Sequence, residues 1–404
     1  MKLSEELEWR GFVGQNTFDN LTDLDNKTRK FYFGVDPSSD SMQVGNLAAM
    51  MLCKIFIAHG YEPTLLVGGG TGKIGDPKMD KERPIKPAEE IERNVKAIAS
   101  QFKQIMGSDI RLVNNNDWLG GMGFYKFMQE VGQYFSLTQL LDRDFVKART
   151  GENGVGLSVA EFSYSLLQGY DFLHLFREYG VDLQLCGEDQ FGNCISGVQL
   201  IRKRENARAD VFGMPIVINK STGKKFGKSE AGAIWLDPKK TSPYQFYQFW
   251  LNVDDAGVID YMKIYTFLSR EEITAIAENH FVNPAERTAQ KTLAHEVTDL
   301  VHGREVTESV ERVTRVLFGG ADFHELTEED LEALAQEIPT VELRDGLTII
   351  DVLTEAKVAN SNSEATRLIK QNAISVNGEK ITADQTLTEK TLIKKGKNQF
   401  VLIK

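Results

Sequence analysis

The order in which apolar runs and helical patterns follow one another is the strongest constraint on this chain. The runs "FYFGV", "EPTLLVGGGTG", "IRLVNN", "VDLQLCG" and "VFGMPIVI" each read as a short, largely buried strand. After the first, Val44, Leu47, Ala48 and Met51 recur at helical spacing. After the second, "PAEEIERNVKAIASQFKQIM" is helical, with Pro in its first turn and acids clustered where the helix dipole favours them. Between the last two runs, "EDQFGNCISGVQLIRKR" is helical and ends in basic residues. Strands separated by helices cannot pair through tight hairpins. They need right-handed crossovers, which build a parallel sheet covered on both faces. The expectation is a doubly wound α/β layer that binds its ligand at the carboxyl edge, near the point where strand order reverses.

Beyond about Leu236 the strand signals stop, and amphipathic helices run to about Gly320. An acidic stretch follows, with the look of a connector. The tail then reads as helix, Ser/Asn turn, helix, and "AISVNGEKI", whose Asn-Gly marks a hairpin. The expected divisions are 1–235, 236–320, 321–342 and 343–404. Charge separates the tail from the body. From Lys357 to Lys404 there are nine Lys and Arg against four Asp and Glu, giving +5, so a total of -11 leaves -16 for the rest. A basic module on an acidic protein points to a polyanion partner at one end, although an unevenly charged solvated surface accounts for charge alone. The start, "MKLSEELEWRGF", has no apolar signal core, and no later window is apolar enough to cross a bilayer. A cytoplasmic protein with no membrane association is expected. Cys53, Cys186 and Cys194 lack metal-ligand or redox spacing and read as buried thiols, so no metal site is expected.

Five constellations carry candidate chemistry. In "FYFGVDPSSDSMQVGNLAAMM", Gly45 lies in the first turn of a helix whose N-terminus suits phosphate, but only Gln43 and Asn46 stand beside it, with no cationic side chain. "GGGTGKIGDP", residues 68–77, is dense in glycine but lacks the spacing of known phosphate loops, leaving a ligand-approach loop or an ordinary turn. "YSLLQGYD" places Tyr164, Gln168 and Asp171 at i, i+4 and i+7, one helix face, for a ligand or for internal hydrogen bonds. In "LCGEDQFGN", Asp189 and Gln190 follow a strand, where they can read ribose hydroxyls or simply cap a helix. "STGKKFGKSEAG" carries Lys224, Lys225 and Lys228 on a glycine-rich loop that can close over a triphosphate or merely be solvated.

Together these segments resemble the bacterial tyrosyl-tRNA synthetase family of class I aminoacyl-tRNA synthetases. The resemblance runs from "LEWRGFV" through "FYFGVDPSSDS", "GGGTGKIGDP", "NNNDWLG", "EFSYSLLQGYDF", "DLQLCGEDQFGN" and "KFGKSE" to "TSPYQFYQFW" and the terminal "SVNG", in order and with spacing kept. It implies a Rossmann-type parallel-sheet catalytic domain, an α-helical domain, a small α+β S4-like RNA-binding domain and a homodimer. It also implies tyrosine activation by ATP with Mg²⁺, no tightly bound cofactor, and transfer of tyrosine to tRNA(Tyr). "QVGN" stands where the family's HIGH signature belongs and "KFGKS", residues 225–229, where KMSKS belongs. Gln43, Asn46, Lys225 and Lys228 are then the catalytic set.

By the same match, Tyr32 and Asp171 flank the phenolic hydroxyl of tyrosine, while Asp76, Tyr164 and Gln168 hold its ammonium group. Gly34, Asp36, Ser38, Gly45, Asp189, Gln190 and Lys228 fall to ATP, and Arg367, Lys370, Lys380, Lys394, Lys395 and Lys397 to tRNA. Asparagine can donate from its amide as a neutral imidazole does, so Asn46 is a mild departure. Gln43 has a longer arm and carries no charge. Phe33 and Cys186 stand where a small polar residue and a glycine are common, and Asn362 where a basic residue is. Two other readings are an RNA-binding paralogue without aminoacylation and an enzyme for tryptophan. The retained lysines argue against the first, and an Asp facing Tyr32 argues against the second.

Overall fold

The five apolar runs form one parallel sheet. In the computed structural model, which describes residues 1–77, 84, 86–151, 154–229 and 232–404, the strands are β1 Lys30–Val35, β2 Glu62–Val67, β3 Arg111–Asn114, β4 Leu183–Gly187 and β5 Asp210–Met214. Their order is β3-β2-β1-β4-β5, so the chain builds outward on one side of β1 and then returns to build on the other. All the pairings are parallel, with Phe31 opposite Pro63 on one side of β1 and Leu183 on the other. The four helices that matter for the site are α1 Val44–Ala58, α2 Ala88–Met106, α3 Val159–Tyr179 and α4 Phe191–Glu205. α1 buries residues all round its circumference, from Val44 and Leu47 to Ile55 and Phe56, as a helix enclosed by other elements does. The fifth run extends less far than expected: pairing ends at Met214 because Pro215 has no N–H to donate.

The start of this sheet is held by one arginine. Arg29 Nη1 lies 2.8 Å from Asp210 Oδ2 and Nε 3.0 Å from Asp182 Oδ1, while Nη2 donates to the Asp182 carbonyl at 2.6 Å. Arg29 and Asp210 are 9% and 5% exposed, so removing the cation takes away the buried partner of a buried carboxylate and leaves it only the exposed Arg208, whose Nε lies 3.2 Å from Asp210 Oδ1. Arg29→Ala is expected to lower unfolding free energy by about 3 kcal/mol. A denaturant titration checks it, and a midpoint unchanged from wild type would refute the role.

The chain divides into two compact units, Met1–Ser242 with Gln248–Val301, and Pro243–Tyr247 with His302–Lys404. In the first, helices Val258–Tyr265 and Arg270–Val282 follow the α/β layer. In the second, a five-stranded sheet runs in the order Glu379–Lys380, Ile374–Val376, Thr391–Lys395, Gln399–Ile403 and Thr340–Val341. Asn377 and Gly378 take φ of 47° and 91°, which makes the Asn-Gly hairpin. Ser361 Oγ accepts from Glu364 N at 3.2 Å and caps helix Asn362–Lys370.

The connector expected over 321–342 is structured instead. It carries helix Glu328–Ala335 and the strand Thr340–Val341, which pairs parallel with the last strand. Acidic residues on its solvent side mask apolar ones: Phe323, Leu326, Leu331 and Leu334 pack with Val313, Leu317 and Phe400.

Candidate functional site

Strand order reverses between β1 and β4, and a cavity of about 570 Å³ opens at their carboxyl ends. β1 and its turn contribute Tyr32, Gly34, Asp36 and Ser38, and the start of α1 contributes Gln43, Gly45 and Asn46. Asp76 comes from the loop after β2, Tyr164, Gln168 and Asp171 from α3, Asp189 and Gln190 from the turn after β4, and Lys225 from the lysine loop. The structure thus brings together all the residues assigned from sequence to tyrosine, and all those assigned to catalysis or ATP except Lys228, whose side chain lies outside the described residues.

α3 starts where Ser158 Oγ accepts from Glu161 N at 3.2 Å, and its period carries Tyr164, Gln168 and Asp171 to the cavity. Asp171 is fully buried in effect, at 2% exposure. Its Oδ1 accepts from Trp118 Nε1 at 2.7 Å and its Oδ2 from Asn115 Nδ2 at 2.9 Å. Burial still dominates and pushes its pKa up to about 7, with Asn115 and Trp118 holding it down and the Asp36 charge adding to the rise. Beside it, the buried Tyr32 hydroxyl has no hydrogen-bond partner among the described residues. Burial, then Cys194 and Asp171, raise its pKa well above the usual tyrosine range, so it stays a proton donor. A buried hydroxyl without a partner costs about 1–3 kcal/mol, and a ligand hydroxyl here would relieve that.

A continuous hydrogen-bonded chain runs from this end of the cavity to the other. Asn115 Nδ2 also reaches Thr71 Oγ1 at 2.9 Å, and Thr71 Oγ1 donates to Asp36 Oδ1 at 2.7 Å. Tyr164 donates to the second Asp36 oxygen at 2.8 Å. Gly68 and Gly69 are required by packing, while Thr71 and Asp76 of the same stretch line the cavity. A Cβ on Gly68 would stand 2.0 Å from Asp36 Oδ1, and one on Gly69 would stand 2.4 Å from Asn114 Oδ1. Gly45 is the opposite case: outside its own helix turn, no atom of the described residues lies within 4 Å of its missing Cβ, which leaves the helix start open to a ligand.

At that helix start, the Gln43 backbone N–H donates to Asn46 Oδ1 at 3.0 Å. The Asn46 side-chain oxygen is committed there, and the residue lines the cavity, so its amide can offer only N–H donors to a ligand. Positive charge comes from the lysine loop. Lys225 Nζ sits 3.3 Å from Asp189 Oδ2 at the cavity rim, and both side chains are exposed. The next two residues anchor the loop. Phe226 is buried and stacks on Tyr261 at 4.2 Å between ring centres, and Gly227, at φ 96°, lies where a Cβ would come 3.3 Å from Val44 Cβ.

Asp76 and Gln190, both assigned from sequence, are joined by Asn193, which was not. Asp76 Oδ2 accepts from Gln190 Nε2 at 2.8 Å and its Oδ1 from Asn193 Nδ2 at 3.1 Å. Asn115, Trp118, Thr71 and Asn193 are missed by sequence reasoning because no spacing links them to their carboxylates. The signals available are the family segment "NNNDWLG", which contains Asn115 and Trp118, and its place just after a strand, at the sheet edge where ligands bind. Among the described residues, no group of three or more His, Cys, Asp and Glu could hold a metal ion, and no helix is long and apolar enough to cross a membrane.

In the second unit, Arg367, Lys370, Lys380 and Lys397 are exposed. Lys394 and Lys395 are half-buried and donate to the Leu317 and Val358 carbonyls at 3.0 and 2.8 Å.

Comparison with known proteins divides the chain similarly. The family model of "tRNA synthetases class I (W and Y)" matches residues 24–319, and that of the "Tyrosine--tRNA ligase SYY-like C-terminal domain" matches 330–404. The tyrosine–tRNA ligase of Limosilactobacillus fermentum is 40% identical over 100% of this chain and 99% of its own length. Tyrosine–tRNA ligase 2 of Bacillus cereus is 41% identical over the same shares. Among solved structures, a C-terminally truncated Aspergillus nidulans mitochondrial tyrosyl-tRNA synthetase is 30% identical, with a TM-score of 0.71 over 78% of this chain and 94% of that one. A tryptophan-bound tryptophanyl-tRNA synthetase from Encephalitozoon cuniculi, 14% identical with a TM-score of 0.56 over 82% of this chain and 91% of that one, shares the fold.

Proposed function

We propose the parts that individual residues play in the reaction of the family to which this chain belongs, the class I tyrosine–tRNA ligases. The reaction joins L-tyrosine to ATP as tyrosyl-adenylate with release of pyrophosphate, then moves the tyrosyl group to the 3'-terminal ribose of tRNA(Tyr). Mg²⁺ arrives on the phosphates of the nucleotide. The observation that carries the substrate assignment is the unpartnered Tyr32 hydroxyl beside the Asp171 carboxylate. Tyr32 donates to the phenolic oxygen and Asp171 accepts its proton. A site built this way rejects the analogue that lacks the hydroxyl, because both buried groups would be left unpaired; tyrosyl-tRNA synthetases are a standard example of that discrimination.

Asp76, with Tyr164 and Gln168, receives the ammonium group. The buried Gln168 Oε1 has no hydrogen-bond partner among the described residues and supplies an acceptor. Asp189 and Gln190 hold the ribose and the reacting carboxylate, and adenine lies against Gly45, with Gly34, Asp36 and Ser38 along the nucleotide. The tyrosine carboxylate attacks the α-phosphorus, and no covalent enzyme intermediate is needed. Rate enhancement comes from positioning and from donors aimed at developing phosphate charge: the Asn46 amide, Gln43, and the ammonium groups of Lys225 and Lys228.

The tRNA lies along the helical segment 236–320 and the S4-like module 343–404, with Arg367, Lys370, Lys380, Lys394, Lys395 and Lys397 as phosphate contacts; 1–235 is the catalytic domain. A second copy covers the apolar residues left exposed at Phe124, Tyr125, Leu137 and Leu141, forming a homodimer in the cytoplasm. The test is tyrosine-dependent exchange of labelled pyrophosphate into ATP without tRNA, with phenylalanine and tryptophan run in parallel. Exchange with tyrosine alone is expected. No exchange with any of the three, in a folded protein that binds tRNA, would make the chain an RNA-binding relative instead.

A further inference from the structure

We infer that Asn193 is a positioning residue of the amino-acid subsite, holding Asp76 and Gln190 in one hydrogen-bonded ring so that the Asp76 carboxylate is already oriented when an ammonium group arrives. The ring closes through three side chains. Asn193 Nδ2 donates to Asp76 Oδ1 at 3.1 Å and to Gln190 Oε1 at 3.2 Å, and Gln190 Nε2 donates to Asp76 Oδ2 at 2.8 Å. Both N–H groups of the Asn193 amide are therefore used, one on each neighbour. Asp76 and Gln190 line the cavity and Asn193 does not, so Asn193 acts on the substrate only through them.

The need for such support follows from where Asp76 sits. It is carried by a loop, just after Gly75, outside any strand or helix, so its backbone alone fixes its carboxylate poorly. Asn193 and Gln190 are 117 and 114 residues further on, at the start of α4 and in the turn before it, and lend the loop the rigidity of the sheet edge. An amide suits the task because it donates to a carboxylate without adding charge. A lysine or arginine in its place would neutralise Asp76 and compete with the incoming ammonium. A helix-start contact unconnected with the substrate would not need to reach outside its own turn, yet the bond to Asp76 does. The inference rests on the reading of Asp76 as the ammonium acceptor.

The experiment measures equilibrium binding to the full chain of three probes: L-tyrosine, tyramine, and 3-(4-hydroxyphenyl)propanoate, which lacks the ammonium group. Asn193→Ala is expected to weaken tyrosine and tyramine about tenfold, as loss of one hydrogen bond to a charged group does. It should leave the propanoate within about twofold. In pyrophosphate exchange its KM for tyrosine rises while kcat at saturation changes little. Equal weakening of all three probes would overturn the inference, since a merely structural role does not distinguish them. Should Asn193→Ala not fold, Asn193→Ser, which keeps a short donor, is measured against the same three probes. Asp76→Asn separates the two ideas. If it binds tyrosine like wild type, the reading of Asp76 fails. If it binds weakly while Asn193→Ala binds like wild type, only the role of Asn193 fails.

Discussion

Asp171→Ala is expected to lower kcat/KM for tyrosine by about thirtyfold or more, while ATP affinity stays within about twofold. In the proposed binding mode the substitution removes the acceptor of the substrate's phenolic proton, and it leaves Asn115 Nδ2 and Trp118 Nε1 without their carboxylate as well. Unpaired buried groups of this kind cost about 1–3 kcal/mol each, and about 2 kcal/mol is thirtyfold. Phenylalanine makes no use of the carboxylate, so its kcat/KM should move far less and the gap between the two substrates should narrow. Unchanged tyrosine kinetics would refute the pocket assignment.

The same residue sets a pH dependence. With its pKa pushed up to about 7, Asp171 is protonated below that pH and offers the phenol less acceptor capacity. In the wild type kcat/KM for tyrosine should rise with pH through about 7, and Asp171→Ala should lose that limb. The sign for stability is opposite. A carboxyl raised from 3.8 to about 7 on folding binds its proton more tightly when folded, so its cost is absent below about 4 and grows as pH rises toward 7. Melting curves should therefore shift in favour of Asp171→Ala, relative to wild type, between pH 4 and pH 8. A constant difference across that range would place the perturbed group elsewhere.

The second large effect is in the lysine loop. Lys225→Ala and Lys228→Ala should each lower the rate of adenylate formation about a hundredfold with little change in tyrosine affinity, as expected when a cation aimed at developing charge is removed. Lys225 is not held back by its contact with Asp189. An exposed pair at 3.3 Å is worth under about 1 kcal/mol, so release toward a phosphate costs little. Single-turnover measurement of adenylate formation decides the matter: affinity lost with the rate intact would make the lysines ground-state contacts only.

Much of this architecture is legible in the chain because its signals are local. Apolar runs flanked by helical periodicity mark all five strands of the catalytic sheet, and Asn377–Gly378 mark the terminal hairpin. The face shared by Tyr164, Gln168 and Asp171 follows from helix period alone. What escapes is held together by distant partners. Asn115 and Trp118 act on a carboxylate 56 and 53 residues away, and Asn193 on one 117 residues away, so no window of sequence contains both members. The need for Gly68 and Gly69 escapes for a related reason: the atoms that require them belong to Asp36 and Asn114, which only the fold brings near. The acidic stretch 321–342 misleads because Leu326, Leu331 and Leu334 among many carboxylates give too short a period to outweigh composition.

The hydrogen bonds that join Asp36, Thr71, Asn115 and Asp171 give the two ends of the cavity a shared set of contacts. If a nucleotide drawn against Asp36 tightens the network and raises affinity for tyrosine by some factor, tyrosine must raise affinity for the nucleotide by that same factor, whichever arrives first. Thr71 is the link to test: valine there keeps the shape but removes the hydroxyl, and the factor by which each ligand changes the other's affinity is expected to shrink toward what the direct effect of the Asp36 charge on Asp171 supplies.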